Sequence, residues 1–181
     1  MRVCLDPGHG HKPTGATGAH GNGITEDNWA LNFALRLGHY LRAMGARTVF
    51  TREGDSFVSL QSRAAIACKN GCDLFLSIHL NAGPSSARGA EAFIAAPDKQ
   101  SGAAAKKILH VIGGQGMKLR GVKLDNQSQH SSLYVLRNTY RHMRAVLVEV
   151  GFLTNSADVR MLTDKYWIEQ AAQAIAAAIL A

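Results

Sequence analysis

The chain has 181 residues, 46% hydrophobic and 18% charged, a balance that gives one domain with a real core and excludes a disordered, collagen-like or coiled-coil chain. Lysine plus arginine number 20 against 13 acidic residues, a formal charge of +7, which favours encounters with polyanions such as nucleic acid, anionic lipid or acidic wall polymer. No apolar run reaches the roughly 18 residues of a membrane span, and Met1-Arg2-Val3-Cys4-Leu5 runs into Asp6-Pro7-Gly8 without the apolar stretch of a secretory signal.

Taken in order, Val3-Cys4-Leu5 is a short continuous apolar run of the kind expected for a strand covered on both faces. Residues 10–23, rich in glycine and polar side chains, read as a long loop. Thr25 is placed to cap a helix whose apolar stripe is Ala30, Phe33, Ala34, Leu37, Leu41 and Met44, stopped by Gly45. A second strand, Thr48-Val49-Phe50, precedes a helix over 59–70 on the Leu60, Ala64, Ala67 stripe, and Leu74-Phe75-Leu76-Ser77-Ile78 is a third strand. Residues 113–132 lack sustained periodicity and read as a second loop; Ala145-Val146-Leu147-Val148 is a fourth strand. Asn155 with Asp158 marks the start of a short helix, and a final helix carries Ile168, Ala171, Ile175 and Ile179. Cys4, Cys68 and Cys72 are an odd set without a CxxC pair and read as packing residues; at most Cys68 and Cys72 would pair. The alternation predicts an α/β single domain over residues 1–181, with a twisted, mostly parallel sheet and helices on both faces.

Ligands of open α/β sheets bind beyond the carboxyl ends of the strands, which directs attention to His9, His79 and Glu149. His9 sits between glycines in Asp6-Pro7-Gly8-His9-Gly10, and His79 ends an apolar strand at a depth where its ring needs a hydrogen bond or a metal. Glu26, in the first turn of the long helix, is aimed at the same edge. Two imidazoles and one carboxylate give Zn²⁺ three protein ligands and a fourth position for water, the arrangement of a catalytic site. Glu149, at the end of an apolar strand, has the raised pKa of a buried acid and is suited to move protons during amide hydrolysis. The bland alternatives are satisfied core histidines, a dipole-stabilising Glu26, and a Glu149 paired with Arg63 or Arg52.

Four ordered motifs, Leu5-Asp6-Pro7-Gly8-His9-Gly10, Gly23-Ile24-Thr25-Glu26, the run from Asp73 through Ser77-Ile78-His79-Leu80-Asn81, and Leu147-Val148-Glu149-Val150-Gly151-Phe152-Leu153-Thr154-Asn155, together resemble the zinc-dependent N-acetylmuramoyl-L-alanine amidases of the type-3 group, found in autolysins and phage endolysins. The resemblance runs nearly end to end. It implies a phosphorylase/hydrolase-like fold, zinc held by His9, Glu26 and His79, and Glu149 as general base and acid. It further implies a substrate, the amide joining N-acetylmuramic acid to the L-alanine of the peptidoglycan stem. Thr51-Arg52, Arg63, Gly89-Ala90-Glu91 and the run from Leu133 to Arg137 resemble scaffold and cleft walls; Asn81 and Arg63 are candidate substrate contacts, Asn81 reading first as a turn residue. The chain departs from the family pattern at Gly10-His11-Lys12, Asp27-Asn28 and Arg141-His142-Met143-Arg144, which puts the cleft rim and the stem-peptide preference in question.

The expected partners are peptidoglycan and anionic wall polymers, met by a monomer acting at the cell wall, extracellular or periplasmic. Export would use a holin-like route or a leader outside this chain. Nucleic acid is disfavoured by the lack of a basic stripe interleaved with aromatics. Two competing readings are a zinc peptidase acting within the stem peptide and a non-catalytic wall-binding module.

Overall fold

A computed structural model describes residues 1–11 and 18–181. Its strands are β1 (Arg2–Pro7), β2 (His20–Gly21), β3 (Ile24–Thr25), β4 (Arg47–Phe50), β5 (Leu74–Asn81), β6 (Ala90–Ile94), β7 (Leu119–Leu124) and β8 (Arg144–Phe152). The helices are α1 (Glu26–Ala43), α2 (Leu60–Lys69), α3 (Gly102–Gly114), α4 (Tyr134–Arg137), α5 (Ser156–Thr163) and α6 (Lys165–Leu180). Six strands form one sheet in the order β4-β1-β5-β8-β6-β7, and β2 pairs with β3 in a small separate hairpin. Every pairing in the large sheet is parallel except β6 against β8. The fold is thus the expected α/β sheet, mostly parallel, with all four apolar runs as neighbouring strands.

Side chains alternate across a strand, and that period divides the core in two. Val3 and Leu5, Leu74, Leu76 and Ile78, and Val146 and Val148 face the layer of α1, α3 and α6, where Phe33, Leu37, Ile108, Ile112 and Ile175 are buried against them. Cys4, Phe75, Phe93, Ala145 and Leu147 face the other way, onto Ala67 of α2 and Val135 and Leu136 of α4. Of the stripe predicted from Ala30 to Met44, the residues through Leu41 form the buried face of α1, while Met44 is exposed at the cap position, followed by Gly45, whose φ is +87°.

Sequence reading and structure differ in several places. The segment 113–132 is not one loop: it holds the end of α3, all of β7 and a 3₁₀ turn at Asp125–Gln127. Strand β7 escaped notice because it is an exposed edge strand, Leu-Arg-Gly-Val-Lys-Leu, whose Gly121 has a φ of +91° beside a register shift. Helix α3 and strand β6 were not read from the sequence either, although Ala105, Ile108, Leu109 and Ile112 give α3 a buried stripe at helical spacing. The loop read at 10–23 contains β2 and β3, and its residues 12–17 lie outside the described ones. Thr25 occupies the cap position of α1, but its hydroxyl accepts from Asn28 Nδ2 at 3.0 Å and not from a helix N–H. Asn155 does cap α5, accepting from the N–H groups of Ala157 and Asp158 at 3.0 and 3.2 Å. All three cysteines are free thiols.

Candidate metal centre and active-site cleft

The chain bends sharply where β1 ends. Gly8 lies against the His79 ring, where an added Cβ would collide with it, and His9 adopts a left-handed φ of +56°. Two buried arginines hold this turn by its carbonyls. Arg52 donates to Pro7 O (3.1 Å) and Gly8 O (2.7 Å), and Arg63 donates to Pro7 O (2.6 Å) and His9 O. Arg63 also pairs with Asp6 at 2.7 Å, and Asp6 accepts the Thr51 and Ser77 hydroxyls at 2.6 and 2.7 Å. A strained imidazole-bearing turn is thereby fixed by charge-assisted hydrogen bonds inside the protein.

Glu26 enters from the first turn of α1. Its Oε1 lies 3.0 Å from His9 Nε2 and 2.8 Å from His79 Nδ1, and it accepts the Leu80 N–H at 3.2 Å, while Oε2 accepts the Ala19 N–H at 3.0 Å. One ligand atom from each of His9, Glu26 and His79 lies within 4.8 Å of the others. Burial alone would raise the Glu26 pKa, but hydrogen bonds from His79 and His9 outweigh it and hold the carboxyl below its usual range.

Glu149 stands opposite His79 on β5 and opposite Glu91 on β6. Its Oε2 is buried and has no hydrogen-bond partner among the described residues. Burial, reinforced by the charges of Glu26 and Glu91, pushes its pKa well above the ordinary carboxyl value. The alternative that Glu149 is a structural partner of Arg63 or Arg52 does not hold, because both guanidiniums are turned onto the β1 carbonyls and Asp6.

The two low-lying candidates take definite places. Arg63 is 3% exposed, and each of its three nitrogens donates to Asp6 or to the carbonyls of Pro7, Val58 and His9, so it holds the His9 turn. Asn81 follows a register shift at the end of β5, lines the cleft, and donates to Glu91 Oε1 at 2.9 Å. Of the rim residues that depart from the family pattern, His11 donates its N–H to Asp55 at 2.9 Å, and Lys12 lies outside the described residues.

His9 and His79 look out on a cleft with two lobes. One, of about 530 Å³, holds Glu26, Glu149, Asn81, Glu91, Arg120 and Lys123; the other, of about 600 Å³, is walled by Phe57, Val58, Leu60, Tyr134 and Val135. His130 and Leu133 border both. The charged trio of Glu91, Arg120 and Lys123 was missed as a functional group. The available signal was a lone acid inside the apolar strand Ala90-Glu91-Ala92-Phe93-Ile94.

Similarity to known proteins extends over nearly the whole chain. The family model for N-acetylmuramoyl-L-alanine amidase matches residues 3–181. The N-acetylmuramoyl-L-alanine amidase LytC of Bacillus subtilis is 37% identical over 179 residues, 96% of this chain, and the chain spans only 34% of that relative's length. Among solved structures, the catalytic domain of the amidase CwlV from Bacillus (Paenibacillus) polymyxa superposes with a TM-score of 0.86 at 31% identity, covering 98% of this chain and 95% of that one. The amidase AmiC2 of Nostoc punctiforme does so with a TM-score of 0.86 at 33% identity, covering 99% and 95%. With a match from Val3 to the last residue and a shared fold, the chain belongs to the N-acetylmuramoyl-L-alanine amidase family.

Proposed function

We propose that the chain hydrolyses, with one zinc ion, the amide between N-acetylmuramic acid and the L-alanine that opens the stem peptide of peptidoglycan, and so acts at the cell wall. One observation carries the reading: the His9, Glu26, His79 donor set shares a cleft with an acid, Glu149, whose buried carboxyl oxygen has no partner among the described residues. The donors suit zinc, since two imidazole nitrogens and a carboxylate oxygen without thiolate form a set that leaves one position open.

Zinc bound there would polarise the scissile carbonyl and make water a better nucleophile. The protein's own groups supply the rest. Arg52 and Arg63 fix the His9 turn, and the Leu80 and Ala19 N–H groups fix the Glu26 carboxylate, so the three donors are oriented before substrate arrives. Glu149 takes the proton of the attacking water and hands it to the departing L-alanine amine. Its raised proton affinity suits the second half of that exchange. The +7 charge concentrates the protein on anionic wall polymer, an attraction that salt weakens.

Digestion of purified peptidoglycan tests the reading. Expected products are new free amino groups on L-alanine with glycan strands intact, and loss of release after chelation with recovery on adding zinc. New D-amino-acid termini would instead make this a stem peptidase, wall retention without release would make it a binding module, and full release in the presence of chelator would remove the metal.

A further inference from the structure

Beside the metal donors lies a charged cluster that the hydrolytic step leaves unused. Glu91 on β6 accepts from Arg120 Nε at 2.7 Å, Lys123 Nζ at 2.6 Å and Asn81 Nδ2 at 2.9 Å. Two cations thus answer one carboxylate. Among the described residues the Arg120 terminal nitrogens have no hydrogen-bond partner and Lys123 bonds only Glu91, so donors remain over, and both side chains line the same lobe as Glu149. They are also held in place: the Arg120 guanidinium lies 4.9 Å over the Phe152 ring and the Lys123 ammonium 6.0 Å from that of Phe93.

Among the described residues, the opposite lobe has no comparable charge. Its walls are Phe57, Leu60, Tyr134 and Val135, and the one arginine lining it, Arg63, is committed to Asp6 and backbone carbonyls. The cleft is therefore polarised across the metal donors, cationic toward β7 and apolar toward α2 and α4.

We propose that Arg120 and Lys123 form a subsite for a carboxylate carried by the residue that follows L-alanine in the stem peptide, with the glycan lying toward the apolar lobe. The spacing agrees. Strand β6 separates β8 from β7, which puts β7 on the order of 10 Å from the Glu149 strand. An extended peptide advances about 3.5 Å per residue, so a second-residue carboxylate falls about 7 Å from the scissile amide, a gap that side chains reaching back from β7 close. The Glu91 carboxylate keeps the two cations together and leaves the subsite one net positive charge, enough to select an anion without holding the product permanently.

This subsite rests on the amidase reading above, and the experiment separates the two. Soluble glycan-linked stem peptides are compared in two forms, the second residue bearing a free α-carboxylate or its carboxamide. The carboxylate form is expected to have about tenfold higher kcat/KM, equivalent to about 1.4 kcal/mol, with the difference carried by KM and shrinking at high salt. In Arg120→Gln/Lys123→Met the ratio falls to about one. The same collapse is expected when Glu91→Gln is added, so that no lone carboxylate is left behind. Equal kcat/KM for the two forms with the unaltered protein, or a tenfold ratio that survives in both variants, overturns the subsite while leaving the amidase intact. Refusal of both substrates overturns the amidase reading itself.

Discussion

The two faces of the sheet are built from the same strands and do opposite things. On one, the long helices α1 and α6 together with α3 cover Val3, Leu5, Leu76, Ile78, Val146 and Val148 completely. On the other, the cover is α2 and the single turn of α4, and it stops short of the strand ends. There the alternation that placed Cys4, Phe75, Leu147 and Phe93 on this face continues two residues along each strand as Asp6, Ser77, Glu149 and Glu91, with His79 a further step beyond Ser77. A period of two is enough to give each strand a dry side and a reactive side. The candidate site sits where a helix has been left out.

The sharpest way to break this contrast is to disable the reactive side alone. Glu149→Gln should lower peptidoglycan release by about 10²–10⁴-fold while zinc content, measured on the purified protein, stays at one ion per chain. Equal activity in the variant would mean the proton travels by another group. The same substitution has a second signature in the metal-free protein. Because folding raises the Glu149 pKa, the stability its neutral carboxyl supports is present below about pH 4.5 and is lost as pH rises through the folded value. The glutamine does not ionise, so the variant should become increasingly more stable than the metal-free parent as pH climbs, as read by thermal melting across that range.

The dry side should respond in the reverse manner. Phe33 is 1% exposed and stacks on Trp29 with ring centroids 4.8 Å apart. Phe33→Ala should cost about 3–5 kcal/mol in urea unfolding, with turnover per folded, zinc-loaded molecule nearly unchanged.

This division also explains what could be read in the sequence. Much of the dry side was legible because continuous apolar runs and the three-and-four stripe of α1 are dictated by burial itself, though α3 on the same side went unread. The candidate site stood out for a different reason: His9, His79 and Glu149 are polar residues at the ends of apolar runs, and placing them there is costly without a partner. Strand β7 could not be read that way: four of its six residues are exposed and Gly121 interrupts it, whereas the other edge strand, β4, is half-buried along Thr48-Val49-Phe50. The charged trio failed with it, because Arg120 and Lys123 acquire meaning only when β7 is laid beside Glu91. The hold of Arg63 on the His9 turn was not legible for a similar reason: nothing local shows that its guanidinium crosses 57 residues of sequence to reach Asp6.

Arg63 joins the two faces, since it holds a reactive turn by burying a charge. Arg63→Met keeps the volume and removes the donors, leaving Asp6 with two hydroxyls and no cation. Loss of one member of a buried pair predicts about 3 kcal/mol of destabilisation, and loss of the His9 carbonyl contact predicts 10–100-fold weaker zinc binding, measured by competition with a chromogenic chelator. If stability fell and zinc affinity did not, Arg63 would be a core residue and nothing more.

The smallest expected effects come from two helix caps, one on each side. Ser59 starts α2 at the mouth of the apolar lobe, where its hydroxyl accepts the Ser62 N–H at 3.1 Å and stands in solvent. Asn155 starts α5 on the covered side; it is 8% exposed, accepts two helix N–H groups, and also donates to Ser85 O at 2.7 Å. Replacing a cap by alanine costs about 1 kcal/mol when water can take over the orphaned N–H. It costs more when a buried acceptor is stranded as well. Ser59→Ala should therefore lose about 1 kcal/mol and Asn155→Ala about 2 kcal/mol in matched denaturation curves. An equal loss at both would show that water reaches the α5 terminus as freely as the cleft rim, and the covered side would then be less closed than its packing indicates.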